Sequence, residues 1–237
     1  MELIRYVSVG STQDTARQLV LSSHCPPFTV LARTQSRGRG RLGKQWSSAP
    51  GGLWLTVALR VPSAESVRQA ALVAAFSVAH AVQTAAPLEI SVKWPNDLLI
   101  GRKKVCGILA ETLVLPDETT LLLGIGVNAN NAIDDKALPQ ATSLKNELNR
   151  SVDTDRLLGV MMTQVDQDIA SLAERGFSAF LPWLQSHLAL VGETVAIEIN
   201  DQQEHGRVQS LSETGALLLT DVNSLVREVD AGSIYRW

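Results

Sequence analysis

Short apolar runs, each closed by a turn signal, constrain this chain most. Phe28–Ala32, Leu53–Leu59, Ile90–Trp94, Ile108–Leu115 and Leu121–Val127 read as buried strands. Pro95-Asn96-Asp97 ends one run, and Pro116-Asp117-Glu118 parts two others. Leu98–Ile100 and Lys103–Val105 flank Gly101-Arg102, a two-residue hairpin signal. Helical patterns interleave with these runs. One helix runs from Gly10-Ser11-Thr12-Gln13-Asp14 to about Leu21; Ser11 or Thr12 can cap it, and Asp14 sits where the helix dipole favours negative charge. An Ala-rich helix is predicted from Ala64 to about Ala85, and Leu157, Met161, Val165, Ile169 and Leu172 mark one face of another. A shorter helix follows around Phe177–Leu188. The expected fold class is α/β (α+β), a mixed β-sheet backed by helices. After Gly192 the texture changes. Val195, Ile197 and Ile199 alternate with polar residues, and turn signals recur at Asn200-Asp201, Glu213-Thr214-Gly215 and Asp221–Ser224. That spacing predicts a small β-barrel or sandwich, with a boundary near Leu190.

The 237 residues are 45% hydrophobic and 19% charged, enough apolar mass for a substantial core. The apolar stretches are interrupted by Arg, Gln or His, so no transmembrane span is expected. Met1–Tyr6 lacks the basic-then-apolar organisation of a signal peptide, and a cytoplasmic protein without a membrane partner is expected. The two cysteines, Cys25 and Cys106, then read as free thiols. The four histidines are scattered, and no Cys/His spacing suggests zinc.

Chemistry concentrates in Ser36–Trp46, where four cations alternate with three glycines and an indole closes the run. Glycine lets backbone approach a ligand closely, and arginine offers a planar fork suited to phosphate and carboxylate oxygens. The run matches neither a Walker loop nor the dinucleotide fingerprint. Arg-Gly runs also occur in disordered RNA-binding tails, but those are long and basic. This one is short and lies between two strands, and the chain carries a formal net charge of −3. An ordered anion site is expected, and no nucleic-acid partner.

Three further segments carry polar groups in apolar surroundings. Lys93-Trp94-Pro95-Asn96-Asp97 sets two short polar side chains at a strand end, or forms a plain Asx turn. Lys104 in Lys104–Glu111 is one cation in an apolar strand, on the solvated face or aimed into a polar pocket. Gly124-Ile125-Gly126-Val127-Asn128 holds two glycines in a strand, from close backbone approach to a ligand or from a bulge.

The order of these segments carries more than any one of them. Ser-Thr-Gln, Arg-Gly-Arg-Gly-Arg-x-Gly-Lys-x-Trp, Lys-Trp-Pro-Asn-Asp, Lys-Val-Cys-Gly-Ile-Leu and Gly-Ile-Gly-Val-Asn, in that sequence, resemble the biotin protein ligases. The motifs span about Gly10 to Ser143, and the C-terminal β segment extends the likeness to nearly the whole chain. Without an N-terminal helix-turn-helix module the chain looks like the monofunctional type. The resemblance implies a class II aminoacyl-tRNA synthetase-like catalytic domain over 1–189 and an SH3-like β-barrel over 190–237. It implies formation of biotinyl-5′-adenylate from biotin and Mg-ATP, and no residue is assigned to Mg²⁺. Biotin then passes to one lysine of the biotin carboxyl carrier protein of acetyl-CoA carboxylase. The enzyme is expected to be a monomer or homodimer.

By the same resemblance, Ser11, Thr12, Gln13 and Gln35 border the biotin head group, and Gly38 and Gly107 let backbone approach ligand. Arg39 reaches biotin and, with Arg41, belongs to the adenylate-binding loop. Lys104 reaches both the biotin carboxyl and the α-phosphate. Trp46, Asn96 and Asn128 belong to the nucleotide site. Asp97 is a base or orienting group for the acceptor lysine. Gln13 and Lys44 depart from the commonest pattern, where Asn and Arg stand; lysine at 44 loses a bidentate fork. Adenylation brings two anions together, so Arg39, Arg41, Lys104 and Mg²⁺ have repulsion to neutralise. No Ser/His/Asp or Cys/His arrangement supplies a nucleophile, and Cys106 reads as an inert core thiol. Three rivals stand beside this reading. A lipoate ligase or lipoyl/octanoyl transferase usually lacks the Arg-Gly loop. A non-catalytic biotin- or carrier-binding module has no need of Lys104 and the arginines. A nucleic-acid binder fits poorly with the acidic composition.

Overall fold

The computed structural model of the protein describes residues 1–61, 67–134, 136–199 and 202–237. The chain runs β1 (Glu2–Val9), α1 (Thr12–Leu21), β2 (Phe28–Gln35), β3 (Leu53–Val61), α2 (Val67–Ala85), β4 (Ser91–Lys93), β5 (Asp97–Ile100), β6 (Lys103–Val114) and β7 (Thr119–Val127). It continues with α3 (Leu144–Leu148), α4 (Thr154–Arg175), α5 (Leu181–Ser186), β8 (Thr194–Ile199), β9 (Gln202–Leu211), β10 (Leu217–Thr220), β11 (Val226–Val229) and β12 (Ser233–Arg236). The fold is α/β with a mixed sheet, as expected. The start of the Ala-rich helix at Ala64 and the Asn200-Asp201 turn lie outside the described residues.

A seven-stranded sheet has the order β1-β2-β3-β7-β6-β5-β4. Among the named strands of this sheet only β1 and β2 pair in parallel, because α1 carries the chain back between them. Ser11 caps α1 by accepting from the Asp14 amide, and Asp14 lies in the first turn. The edge strand β1 was not legible in the sequence: most of its side chains are exposed, so no apolar run marks it. Lys103–Val105 and Ile108–Leu115, read as separate strands, are one long strand, and Phe177–Leu188 divides into a 3₁₀ turn and α5.

The sheet's two faces differ in kind. Leu53, Leu55, Val57, Ile108, Leu121, Leu123 and Ile125 point into the main core with α2 and α4, where the expected stripe of Leu157, Met161, Val165 and Ile169 is buried. The opposite face carries a small cluster of Ala16, Val20, Phe28, Val30, Ala58 and Leu122 beneath α1. Beyond Leu122 the same face of β7 presents Gly124 and Gly126, and there a cavity opens.

The C-terminal strands form a five-stranded antiparallel sheet, β11-β10-β9-β8-β12, consistent with the SH3-like expectation. Its inner residues Val195, Ile197, Leu217 and Leu219 join the main core. Gly215 in the β9–β10 turn sits against Leu72 and Phe177 at φ +81°, and its carbonyl accepts from Trp94 Nε1 at 3.1 Å. Trp94→Phe leaves that carbonyl buried and unpartnered, and is expected to cost about 1–3 kcal/mol by urea denaturation.

Candidate active site

The cavity has a volume of about 960 Å³, at the upper end for a small-molecule site. It lies between the start of α1, the Ser36–Trp46 loop, β6, β7, the segment after Asn128, and Ser233-Ile234 of the C-terminal sheet. Every residue singled out from the sequence lines it: Ser11, Thr12, Gln13 and Gln35; Gly38, Arg39, Arg41 and Trp46; Asn96, Asp97, Lys104, Gly107 and Asn128.

The Arg-Gly run is an ordered hairpin. Gly40 N donates to Lys44 O at 2.8 Å, Trp46 N donates to Gly38 O at 2.9 Å, and Leu42 turns the tip at φ +54°. A Cβ on Gly38 would stand 2.4 Å from the Trp46 carbonyl, so only glycine permits this closure. The hairpin carries the indole of Trp46 down onto the sheet. Gly107 and Gly126 face one another across β6 and β7, and Cβ atoms there would stand 2.9 and 2.6 Å from that ring. Trp54, opposite Gly126 on β3, meets the same ring edge to face at 6.3 Å. Gly124 likewise makes room for Gln13 Oε1. Neither the β3–β7 nor the β6–β7 register breaks at these glycines, so no bulge explains them: they accommodate Gln13 and Trp46.

One wall is neutral and polar. Gln35 Oε1 accepts from Thr12 N at 2.7 Å and from Thr12 Oγ1 at 3.1 Å, and Gln35 Nε2 donates to Ser48 Oγ at 2.7 Å. Thr56 Oγ1 lies 2.9 Å from Thr12 Oγ1. Gln13 Nε2 donates to Leu122 O and to Glu111 Oε2, each at 3.2 Å. Much of the hydrogen-bonding capacity of Gln13 and Gln35 is therefore spent inside the protein. The second Gln35 N–H and the Ser11 hydroxyl hydrogen remain uncommitted among the described residues.

The other end is cationic. In an unbroken strand, Lys104 would share a face with Cys106 and Ile108, which are in the core. The β5–β6 register shifts there: Leu98 pairs with Cys106 but Leu99 pairs with Lys104, leaving Val105 as an extra residue. This bulge turns Lys104 onto the cavity face, where Nζ lies 2.7 Å from Asp97 Oδ1. The approach is off the direction of a hydrogen bond, which makes the contact an ion pair. Nζ also stands 4.9 Å from the Trp46 ring centre. Arg41 Nη1 donates to Gly232 O at 3.1 Å and more weakly to Asn96 Oδ1 at 3.4 Å. Burial pushes the Arg41 guanidinium down from its ordinary value, against the opposing pull of Asp97. Asn96 staples β5 to β6 by donating to Ile108 O and accepting from Ile108 N.

Sequence reasoning missed two residues. Asn131 donates to Asn128 Oδ1 at 3.1 Å and so orients that amide; the Asn128–Asn131 cluster was the signal available. Glu111 binds Arg17 and Arg39, both at 2.8 Å, and Arg39 also pairs with Asp14. Arg39 is thus held on the α1 side, away from the Lys104–Asp97 pair. Burial alone would push the Glu111 carboxyl up, but hydrogen bonds from Arg17 and Gln13 and the charges of Arg39 and Arg17 hold it below its ordinary value. Arg39 is shifted the other way: burial lowers it, and its two carboxylate partners raise it further. Cys106 is fully buried and its thiol is pushed far up by desolvation, which leaves no nucleophile there. Among the described residues no three His, Cys, Asp or Glu converge as a metal site, and no helix is long and apolar enough to cross a membrane.

Residues 6–130 match the model of the biotin/lipoate A/B protein ligase family. Over 198 residues, 80% of this chain and 82% of the relative, the sequence is 32% identical to the biotin–[acetyl-CoA-carboxylase] ligase of Paracoccus denitrificans. It is 28% identical over 239 residues to the bifunctional ligase/repressor BirA of Bacillus subtilis, covering 98% of this chain and 73% of that one. Among solved structures, the biotin protein ligase from Aquifex aeolicus in complex with biotin and ATP superposes with a TM-score of 0.89 at 28% identity, over 100% of this chain and 99% of that one. The chain belongs to the biotin/lipoate A/B protein ligase family. Within that family it is a biotin protein ligase.

A linkage effect follows at Glu111. Its carboxyl is held below its unfolded value, so the stabilisation it gives is complete above about pH 4.3 and is lost as pH falls through the lowered folded value. In thermal melts from about pH 6 to about pH 3, the stability gap between wild type and Glu111→Gln should shrink as pH falls. A gap independent of pH would remove the charge from the account.

Proposed function

We propose that the cavity forms biotinyl-5′-adenylate and passes biotin to a lysine of the biotin carboxyl carrier protein of acetyl-CoA carboxylase. The observation that carries this is one cavity with two unlike ends: a neutral hydrogen-bonding wall at Ser11, Thr12 and Gln35, and a cationic end at Arg41, Lys104 and Asp97. A ureido ring is neutral, with two donors and one acceptor, and suits the first end. A carboxylate meeting a triphosphate suits the second. Magnesium is taken to enter with the nucleotide, and no residue is assigned to it. We take 1–189 as the catalytic domain and 190–237 as the C-terminal domain, whose Gly232 carbonyl reaches Arg41.

In the first step a biotin carboxylate oxygen attacks the α-phosphorus, and the bond to the β-phosphate oxygen breaks. Pyrophosphate leaves with both bonding electrons. Lys104 lies between the two anions and reduces their repulsion, and Arg41 closes the hairpin over them. Arg39 reaches the ligand by exchanging Glu111 and Asp14 for its carboxylate. Trp46 and Asn128, the latter fixed by Asn131, border the adenosine. In the second step the carrier lysine nitrogen attacks the mixed anhydride carbon, AMP leaves, and the nitrogen loses a proton. Asp97 first holds Lys104, and accepts that proton once the phosphate has drawn Lys104 away.

Lys104→Met should lower the rate of adenylate formation by about 10²- to 10³-fold, the usual effect of removing one preorganised charge donor. Arg41→Ala should release free biotinyl-adenylate, measurable by chromatography of the small-molecule fraction; tight retention by the variant counts against the closing role of the hairpin. The reading as a whole is tested by intact mass of an apo carrier domain after incubation with the protein and Mg-ATP, with biotin and lipoate in separate tubes. An ATP-dependent biotin increment is expected, and no increment or a lipoate increment refutes it.

A further inference from the structure

Lys93 belongs to the sheet register that builds the site, and the mechanism above does not use it. It pairs with Asp97 across β4 and β5, Asp97 pairs with Gly107, and Gly107 with Gly126, so Lys93 ends a row on the cavity face. The residue is only 9% exposed and lines the cavity. Lysines in such places usually carry the ammonium out to water or pair it with a carboxylate. Lys93 does neither: among the described residues it makes no ion pair, and its Nζ rests 3.4 Å from the ring centre of Trp237, beyond β12. Among the described residues Asp97 is the one carboxylate that acts on it, and Lys104 and Lys44 repel it. Arg41 shares the same Asp97. Among the described residues one carboxylate thus serves three cations, Lys93, Lys104 and Arg41, with Lys44 adding further positive charge, a surplus that a polyanion would balance.

We propose that Lys93 binds the β- and γ-phosphates of the nucleotide and the departing pyrophosphate, with the Trp237 indole as its cradle before the phosphates arrive. This rests on the nucleotide reading above. Lys104 then serves the α-phosphate and Lys93 the leaving group, and the C-terminal sheet touches the phosphate end twice, through Gly232 on Arg41 and Trp237 on Lys93.

A proton signature follows. Burial, with repulsion from Lys104 and Lys44, brings the Lys93 ammonium down to about 8 against the pull of Asp97. A bound polyphosphate raises it again. Binding therefore takes up a proton near pH 8, and affinity is greatest below that pH and weakens as pH rises through it. Lys93→Arg keeps the charge and does not titrate there.

The test is calorimetry of the full chain with magnesium pyrophosphate, and with AMP as comparator, near pH 8 in two buffers of different ionisation heat. Subtracting Lys93→Arg from wild type cancels the titration of the ligand itself. Lys93→Met should weaken pyrophosphate binding by about 10- to 100-fold while AMP and biotin binding hold. Wild type should take up a proton that Lys93→Arg does not. Trp237→Ala should move the pH break upward by exposing the ammonium, and Trp237→Phe should restore it. Equal pyrophosphate affinity in wild type and a folded Lys93→Met overturns the inference, as does equal proton uptake in wild type and Lys93→Arg. If Lys93→Met does not fold, the Lys93→Arg comparison decides alone. Carrier biotinylation by wild type is run alongside: its failure refutes the nucleotide reading, and its success with unchanged pyrophosphate binding refutes only the role of Lys93.

Discussion

The extra residue in β6 at Val105 is the constraint on which the site depends. A strand alternates its side chains, and by that rule Lys104 would enter the core beside Cys106 and Ile108. A lone ammonium there would cost far more than the surrounding packing could offset. The bulge places Val105 and Cys106 both inward and Lys104 outward, against Asp97. Asp97 starts β5 directly after the turn at Pro95, so the two motifs that looked independent in the sequence meet across one register shift. The pair is partly exposed, with side chains at 31% and 17%, and such a pair adds little net stability. Its consequence is positional: a cation is held on the cavity face, at the end opposite the polar wall.

The second constraint is the absence of side chains at Gly107, Gly124 and Gly126 on the cavity face of β6 and β7. Gly107 and Gly126 leave a flat patch, and the hairpin at Gly38–Trp46 is closed tightly enough to set one indole on it. The loop, the sheet and Lys104 thereby share a single contact at Trp46. The C-terminal sheet adds a third element through Gly232 and Trp237, and its inner residues continue the main core. The cation end of the cavity is thus assembled from three distant parts of the chain: the hairpin, the β4–β6 segment and the C-terminal strands. The neutral wall is built more locally, from the start of α1, the end of β2 and Thr56 on β3.

What the sequence made legible follows this division. The buried strands and the α4 stripe were readable because apolar periodicity records burial directly. The candidate residues were readable through the order of five motifs, whose resemblance to the biotin protein ligases named them where each motif alone read as structural, and all of them line one cavity. The edge strand β1 left no pattern, since exposure on most of its length removes the alternation. The bulge was invisible because one inserted residue does not alter an apolar run; it only changes which way the next side chain points. Gly124 and Gly126 stayed open between ligand approach and a bulge because a glycine reports close approach but not what approaches; the register excludes the bulge, and Gln13 and Trp46 lie against them. Glu111 lay inside a quoted motif, but its two arginine partners come from α1 and the hairpin, and only the fold brings them together.

The most direct measurement is a crystal structure of the protein with a non-hydrolysable biotinyl-5′-adenylate analogue. The account predicts the ureido ring against Ser11 and Gln35, the phosphate on Lys104 with its contact to Asp97 loosened, and Arg41 closed over the ligand. A phosphate bound beside Glu111 and Arg17, with the Lys104–Asp97 pair intact and remote from the ligand, would contradict it.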